Sequence, residues 1–305
     1  MSDQADGLRQ MIQARSGTTA VAEMPSPSRM AEAPAAARSL VLTSGKGGVG
    51  TSNLALNLAI ALGECGRRVV LIDADLGLAN IDLLCGLTPE SDLGNVLAGD
   101  CSLADAVVTG PADVRIVPGA HGTRTLVDAL GDAPTRLVAD LAELEAGADF
   151  LLIDAGSGLG PGVATWAAAA DQVVIVTTPE PTSVADAHAA IGRFRRLVVP
   201  PRMRAVVNQA ASSSEALDVL DRLSASSRQF LGTVVSGLGH VRADPHVQQA
   251  VRMRRPFVVA YPHCVASRGV RRLARALIEE GQPRVPRPGF FASLSARWAL
   301  SRVAR

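Results

Sequence analysis

The sequence predicts an α/β fold with a doubly wound, mostly parallel sheet that carries a phosphate-binding loop. Apolar segments rich in valine, isoleucine and leucine alternate with helical patterns from residue 39 to residue 280, an order typical of βαβ units. The first segment, SLVLTS, is continuously apolar, as expected for a strand that is covered on both faces. A glycine-rich loop and then a helix follow it directly, which is the order of a phosphate-binding unit.

The individual elements can be assigned in order along the chain. A short helix is predicted over residues 2–15 and a disordered linker, rich in Ser, Ala and Pro, over 16–38. The apolar segments predict strands at SLVLTS (39–44), RRVVLID (67–73), VRIVP (114–118), DFLLID (149–154), DQVVIVTT (171–178), MRAVVNQ (203–209) and LGTVVS (231–236). Helical patterns cover LALNLAIALGEC (54–65) after the glycine loop and residues 182–197, 215–225 and 265–279. We therefore divide the chain into an N-terminal helix (1–15), a linker (16–38), one α/β domain (39–280) and a C-terminal tail (281–305).

Composition limits the classes of function. The 305 residues are 48% hydrophobic and 19% charged, with a formal net charge of +1, so the chain is not a polycation and no specific nucleic-acid partner is expected. The four cysteines have no C-x-x-C spacing, which favours scattered thiols over a metal site. The N-terminus lacks a signal-peptide pattern, and no apolar run reaches the ~20 residues of a membrane-spanning helix. We expect a cytoplasmic protein that is at most peripherally attached to the membrane.

The glycine-rich loop fits two phosphate-binding signatures. Residues 44–53 read SGKGGVGTSN, which matches the G-x-G-x-x-G of dinucleotide-binding domains and, except at one position, a P-loop. Thr51 stands where a P-loop has its lysine, while Lys46, earlier in the loop, is the only lysine of the chain. In the dinucleotide reading, Asp73 at the end of the second strand would bind ribose hydroxyls.

Polar residues elsewhere favour the P-loop. Ser52 has the position of the hydroxyl that binds Mg²⁺, and a second carboxylate, Asp75, follows Asp73. Asp154 ends an apolar strand and precedes the glycine-rich segment AGSGLG, as in a strand that holds Mg²⁺ beside a loop that senses the γ-phosphate. Each aspartate alone is better explained as a helix N-cap or a strand-end carboxylate. Together they predict a nucleotide site for ATP and Mg²⁺, and a dinucleotide-dependent oxidoreductase remains the weaker alternative.

With these motifs, residues 39–280 resemble the MinD/ParA ATPases, whose P-loop carries an additional early lysine. The resemblance includes DADLGLANIDLLCGL, LLIDAGSGLG and VTTPEPTSVADAHAAI. It implies that Lys46 reaches the phosphates of a partner in an ATP-bound homodimer and that Asp75 positions the attacking water, which makes these two the catalytic residues. It further implies that Ser52, Asp73 and Asp154 serve the metal and that Asn208 faces adenine. The nucleotide would be held by Gly45, Lys46, Gly47, Gly48, Val49, Gly50, Thr51, Ser52 and Asn208.

The N-terminus resembles one branch of this family, the FlhG (YlxH) regulators of flagellar number. The pattern D-Q-A-x-x-L-R is formed by Asp3, Gln4, Ala5, Leu8 and Arg9. In that branch such a segment binds the GTPase FlhF and stimulates it, so the resemblance implies an FlhF-type partner. A division-site or cargo-positioning ATPase of the MinD or ParA type is the alternative within the family.

Because threonine replaces the P-loop lysine, the sequence alone does not decide whether the protein hydrolyses ATP. Loss of one well-placed positive charge costs on the order of 3 kcal/mol in the transition state, so hydrolysis would slow by about a hundredfold. Either nucleotide still binds through the backbone, Mg²⁺ and Lys46, or the domain is an inactive scaffold. The other polar residues of the site are intact, which favours nucleotide binding.

The tail predicts a membrane anchor. Residues 281–305 contain five arginines and no acid, and an amphipathic helix would place Phe290, Phe291, Leu294 and Trp298 on one side. Such helices bind anionic membrane surfaces. The alternative is a tail that packs on its own domain or stays disordered.

Overall fold

The computed structural model describes residues 36–75, 79–120, 135–281 and 288–303. The predicted N-terminal helix, the residues Asp3, Gln4, Ala5, Leu8 and Arg9, and nearly all of the linker lie outside these ranges. Within them, no helix combines the length and the apolar character needed to cross a bilayer.

The described residues form a sheet that runs through the centre of the domain. Its strands are β1 (Arg38–Ser44), β2 (Val69–Asp73), β3 (Val108–Thr109), β4 (Arg115–Val117), β5 (Phe150–Ser157), β6 (Gln172–Thr177), β7 (Arg202–Ala210) and β8 (Val235–Arg242). Their order in the sheet is β3-β4-β2-β5-β1-β6-β7-β8. Every pairing is parallel except that of β3 with β4. The predicted doubly wound, mostly parallel sheet is confirmed.

Helices cover both faces of this sheet. They are α1 (Thr51–Glu64), α2 (Ile81–Cys85), α3 (Leu93–Ala98), α4 (Leu103–Ala106), α5 (Thr135–Ala146), α6 (Pro161–Ala169), α7 (Pro181–Phe194), α8 (Ser213–Leu231), α9 (Pro245–Arg252), α10 (Phe257–Ala260), α11 (Val265–Glu279) and α12 (Phe290–Val303). One apolar core joins α5, α6, α7, α8 and α12 to the sheet, and a second core joins α1 and α11 to its other face. The central strand β1 is buried along its whole length, which explains its continuously apolar sequence.

The boundary between α8 and β8 differs from the sequence prediction. The segment LGTVVS was predicted as a strand, but α8 continues to Leu231 and ends at Gly232, which has a left-handed φ of 60°. The strand starts only at Val235 and runs on through two glycines to Arg242. Pairing with β7 imposes this extension, because a buried parallel neighbour outweighs the low strand propensity of glycine.

The C-terminal helix packs against its own domain. Phe290, Phe291 and Leu294 are all buried, and the Phe290 ring stacks on Trp166 of α6 with a centroid distance of 5.7 Å. The buried carboxylate of Glu145 accepts hydrogen bonds from the backbone N–H groups of Phe290 (2.6 Å) and Phe291 (3.1 Å).

This arrangement is the alternative that the sequence left open for the tail. The side chain of Trp298 lies outside the described part of the helix. A membrane contact through Phe290, Phe291 and Leu294 remains a prediction, and it requires α12 to leave this position, because the apolar side chains are already covered by α5 and α6.

Candidate nucleotide-binding site

The glycine loop joins β1 to α1 and leaves the N-terminus of α1 open. Gly50 precedes the helix with a left-handed φ of 85°, and no side chain caps the first turn, which also contains no acid. A Cβ at this position would lie 2.7 Å from Asn208 Nδ2, so only glycine fits the loop here. The free N–H groups and the helix dipole make this end of α1 a site for an anion such as phosphate.

Thr51, which replaces the P-loop lysine, takes part in a chain of neutral hydrogen bonds. Its hydroxyl donates to Ser44 Oγ over 3.0 Å, and Ser44 Oγ donates to the carbonyl oxygen of Lys46 over 2.9 Å. Thr51 is buried. The side chain therefore holds the loop in shape but supplies no positive charge to a phosphate.

Lys46 supplies the ammonium group of the loop. Its Nζ lies 2.6 Å from Glu180 Oε2 and 3.2 Å from Thr182 Oγ1, both near the start of α7. The side chains of Lys46 and Glu180 are 39% and 64% exposed. The pair lies at the surface, where solvent screens the attraction and the energy of an ion pair is small.

Asp73 ends β2 and is paired in register with Asp154 of the adjacent strand β5. Burial, followed by the charge of Asp154, raises the pKa of Asp73 to about 7. Burial likewise raises the pKa of Asp154 to about 6, although a hydrogen bond from Ser52 opposes this shift. Two carboxylates held together away from water indicate a place where a cation would be favourable.

The residues at Asp154 fit a magnesium ion. Asp154 is fully buried, its Oδ1 accepts from the Gly156 N–H over 3.2 Å, and its Oδ2 has no hydrogen-bond partner. The Ser52 hydroxyl lies beside this carboxylate. In the ranges given above, no group of three or more His, Cys, Asp or Glu side chains forms a metal site. A buried carboxylate beside a hydroxyl suits Mg²⁺, which keeps several waters and takes ligands from nucleotide phosphates.

Asp73 is engaged differently from Asp154. Its Oδ2 accepts hydrogen bonds from the N–H groups of Asn80 (2.9 Å) and Ile81 (3.1 Å), and so it caps α2. Its Oδ1 accepts from the N–H of Asp75 over 3.2 Å. Asp73 therefore fixes the segment that carries Asp75, and a direct metal contact by Asp73 stays a prediction.

Asp75 lies against the C-terminal end of β5. A Cβ on Gly156 would overlap the Asp75 carboxylate, and Gly156 itself has a left-handed φ of 67°. The glycine-rich segment thus allows the carboxylate to approach the backbone beside Asp154. The structure brings Lys46, Ser52 and the three aspartates to one edge of the sheet, as the sequence predicts.

A cavity of about 680 Å³ extends the site past Asn208. The Asn208 amide donates to the Val49 carbonyl oxygen over 2.8 Å and so ties β7 to the loop. The cavity is lined on its other sides by Asn53, Leu54, Gln209, Val241, Arg242, Ala243, Asp244, Pro245, Val247, Gln248, Val251, Arg252 and Phe257. Its position beside the end of α1 and its size suit the base and sugar of a nucleotide.

Sequence reasoning missed two carboxylates of this site. Glu180 stands within the quoted segment VTTPEPTS, but its pairing with Lys46 joins positions that are 134 residues apart. Asp244 caps α9 and also accepts from the N–H of Val265 over 2.8 Å. Partial burial opposes the charge of Asp244, but hydrogen bonds from His246 and Ala266 outweigh it and lower its pKa to about 2. The D-P dipeptide before α9 is the only local signal.

Comparisons with known proteins place the chain in a family. A family model described as an AAA domain matches residues 37–198. The antiactivator FleN of Pseudomonas aeruginosa is 37% identical over 81% of this chain and 89% of its own length. The chain belongs to the MinD/ParA family of P-loop ATPases, in the branch of FleN and YlxH. The flagellum site-determining protein YlxH of Helicobacter pylori is 28% identical over 82% of this chain and 86% of its own.

A solved structure of the MinD/ParA family supports the fold and the ligand class. The septum site-determining protein MinD of Pyrococcus horikoshii, complexed with Mg-ADP, superposes with a TM-score of 0.65 at 25% identity, covering 82% of this chain and all of the other. The resemblance seen in the glycine loop is therefore confirmed at the level of family and fold. It makes nucleotide and Mg²⁺ the ligands implied for the open end of α1.

Proposed function

We propose that this chain is an ATP-dependent regulator of flagellar number and placement. The observation that carries the proposal is the uncapped N-terminus of α1 beside an exposed Lys46 and the unpartnered Asp154 oxygen. It is found in a chain that is 37% identical to an antiactivator of the flagellar branch. An anion site, a nearby ammonium group and an unpartnered carboxylate oxygen at one edge suit a nucleoside triphosphate with its Mg²⁺.

Each group has a definite task in binding. The backbone N–H groups of the loop hold phosphate oxygens, and the Thr51–Ser44–Lys46 hydrogen bonds keep the loop in shape before the ligand arrives. Ser52 and Asp154 would hold Mg²⁺, which when bound neutralises charge on the phosphates. Asp75 orients a water, and the cavity beside Asn208 receives the base.

The regulatory part of the proposal concerns partners. ATP joins two copies through the exposed edge that carries Lys46, which then exchanges Glu180 for a phosphate of the other copy. The N-terminal segment acts on an FlhF-type GTPase, and the dimer works at the inner face of the plasma membrane. The relation to FleN and YlxH supports the flagellar setting over a division-site role.

Nucleotide titration of the purified full chain tests the binding step. We expect ATP and ADP to bind in the presence of Mg²⁺ and NAD not to bind. Asp154→Asn should reduce the Mg²⁺ dependence, whereas Asp149→Asn, a matched change at the other end of β5 where the carboxylate pairs with Arg68, should not. Absence of Mg²⁺-dependent affinity for adenine nucleotides contradicts the proposal.

GTPase stimulation tests the flagellar step separately. The full chain should accelerate GTP hydrolysis by an FlhF-type GTPase, and removal of residues 1–15 should abolish the acceleration while nucleotide binding stays intact. Equal stimulation by both proteins would leave the nucleotide site standing but contradict the flagellar assignment.

A catalytically inactive adaptor is the second candidate, and one observation favours it. Thr51 is satisfied by Ser44 within the loop, so the position that normally supplies charge for hydrolysis is closed. In this case nucleotide would bind and promote dimerisation without turnover. Single-turnover assays with Mg-ATP separate the two, because the regulator that cycles must release ADP and the adaptor must not.

A further inference from the structure

A cluster of exposed apolar side chains lies at one corner of the domain, far from the glycine loop in the sheet. Val198 is 94% exposed, Phe230 70%, Val234 65% and Val199 60%. Single exposed apolar residues need no explanation, but a contiguous group of large ones commonly marks an interaction site.

The sheet brings the two chain segments that carry these residues to the same edge. β7 and β8 are parallel neighbours with Met203 opposite Val235, so the connections that lead into them end at the same edge. Leu197 from the first connection and Leu231 from the end of α8 line one cavity of about 540 Å³. We call the surface formed by residues 195–201 and 228–234 the α7–α8 corner.

Arginines surround this corner, and three of them have no acidic partner among the described residues. Residues 192–203 and 223–236 contain five arginines and no aspartate or glutamate. Arg193, Arg196 and Arg228 are exposed and make no ion pair with the residues that the structure describes, whereas Arg202 lies 3.2 Å from Glu280. The corner therefore combines protruding apolar groups with free positive charge.

We propose that the α7–α8 corner contacts an anionic membrane surface directly. Guanidinium groups bind lipid phosphates, and the valines and Phe230 enter the headgroup region, where apolar burial adds to the electrostatic attraction. The four most exposed apolar side chains do not line the neighbouring cavity. The three valines stand on the connections and Phe230 on the last turn of α8, so they suit a soft planar surface better than a peptide held in a groove.

The inference rests on the proposed membrane association, and it assigns the membrane contact to a surface outside the C-terminal tail. In this structure the apolar side of α12 is buried, while the corner is exposed without any rearrangement. Both belong to the same layer of helices on one face of the sheet. The corner can therefore bind membrane while α12 remains packed.

Vesicle co-sedimentation of the full chain tests the inference, with phosphatidylglycerol-containing vesicles compared with pure phosphatidylcholine, in the absence and presence of Mg-ATP. We expect the protein to pellet with the anionic vesicles without nucleotide. Val198→Asp combined with Phe230→Asp should lower the partition coefficient by roughly tenfold or more. Leu217→Asp is the matched control, since Leu217 is 53% exposed on α8 outside the corner, and it should leave partitioning unchanged.

A second pair of variants isolates the charge. Arg193→Gln with Arg196→Gln should lower binding by roughly tenfold or more, because each arginine near an anionic surface contributes about 1 kcal/mol. Arg272→Gln with Arg275→Gln, on exposed positions of α11 at the other face of the sheet, should have a smaller effect.

Two results overturn the inference. If the corner variants pellet as the parent does, membrane contact occurs elsewhere, and the proposed function stands without this surface. If the parent does not pellet but the corner variants change its mass in sedimentation equilibrium, the corner is an interface between copies. Nucleotide titration of the same proteins shows independently whether the ATP-dependent function fails.

Discussion

The N-termini of α1 and α12 are satisfied in opposite ways. At α1, Gly50 offers no side chain, no other side chain caps the first turn, and that turn contains no acid. At α12, the buried carboxylate of Glu145 accepts from two successive N–H groups at 2.6 and 3.1 Å. Both ends carry the same partial positive charge. The chain provides its own anion for α12 and none for α1.

The difference separates a structural contact from a ligand site. An end that is capped by a buried carboxylate is fixed within the fold, and removal of that carboxylate leaves buried donors unsatisfied. An end that is left open beside a lysine is stable only because solvent or a ligand reaches it. Substitutions at the open end should therefore affect ligand binding, and substitutions at the capped end should affect stability.

Gly50→Ala should have the largest effect. A Cβ here would lie 2.7 Å from Asn208 Nδ2 and would also be strained by the left-handed φ. We expect affinity for Mg-ATP to fall by roughly a thousandfold, because hydrogen bonds to charged phosphates are worth about 1.5–3 kcal/mol each and the loop presents several. Isothermal titration measures the loss.

Gly99→Ala is the matched control for that variant. Gly99 has a φ of 83°, and no atom lies within 4 Å of the Cβ that an alanine would add. The alanine would therefore be strained in its backbone but would not clash with a neighbouring side chain. It should lower stability by about 1 kcal/mol and leave nucleotide affinity unchanged. Equal losses in both variants would mean that Gly50 acts only through strain.

Thr51→Lys should raise ATP hydrolysis by about a hundredfold, because it restores a charge worth on the order of 3 kcal/mol in the transition state. Thr51→Ser keeps a hydroxyl that can donate to Ser44 Oγ and should leave the rate unchanged. Steady-state phosphate release measures both. If neither variant nor parent releases phosphate while all bind ATP, the adaptor reading is preferred.

The Asp73–Asp154 pair predicts a pH dependence of stability. Burial raises both pKa values above those of unfolded aspartate, to about 7 and about 6. The folded state therefore binds more protons than the unfolded state between about pH 4 and pH 7, and the contribution of the pair to stability falls as pH rises through this window. Relative to Asp154→Asn, the parent should lose roughly 3 kcal/mol over this range.

Urea denaturation without nucleotide at several pH values measures this difference. Mg-ATP should reduce the loss, because bound cation favours the charged carboxylates. Parallel curves for the parent and Asp154→Asn would show that Asp154 takes up no proton on folding, and they would remove its part in the electrostatic argument for a cation site.

Glu145→Ala should destabilise the protein by about 2 kcal/mol, because it leaves two buried N–H groups without an acceptor. Glu143→Ala changes an exposed carboxylate of the same helix and should cost less than about 0.5 kcal/mol. Thermal unfolding measures both, and limited trypsin digestion at the tail arginines reports release of α12. A stable, protease-resistant Glu145→Ala would show that apolar packing alone holds α12.

The sequence predicts features that depend on neighbouring residues better than those that depend on distant ones. Local patterns mark the loop from Gly45 to Ser52 and the apolar segment 149–154. The structure has the loop and a strand at these positions, and the strand continues to Ser157. The capping of α12 by Glu145 joins residues 145 positions apart, and no local sequence pattern predicts it. The stripe of Phe290, Phe291 and Leu294 has the same spacing for a core as for a membrane, so only the packing on Trp166 distinguishes them.

The smallest expected effect concerns the ion pair beside the open end of α1. Glu180→Gln should change the free energy of unfolding by less than about 0.5 kcal/mol, because both partners are exposed and screened. Glu64→Gln breaks a two-point contact with Arg271, at 2.7 and 2.9 Å, and should cost about 1 kcal/mol. Urea denaturation compares the two. If Glu180→Gln lowers the free energy of unfolding more than Glu64→Gln does, Lys46 stabilises the fold through Glu180 and does not readily exchange it for a phosphate. In that case the backbone N–H groups of α1 would still be uncapped, unlike those of α12, but Lys46 would not be available to a ligand.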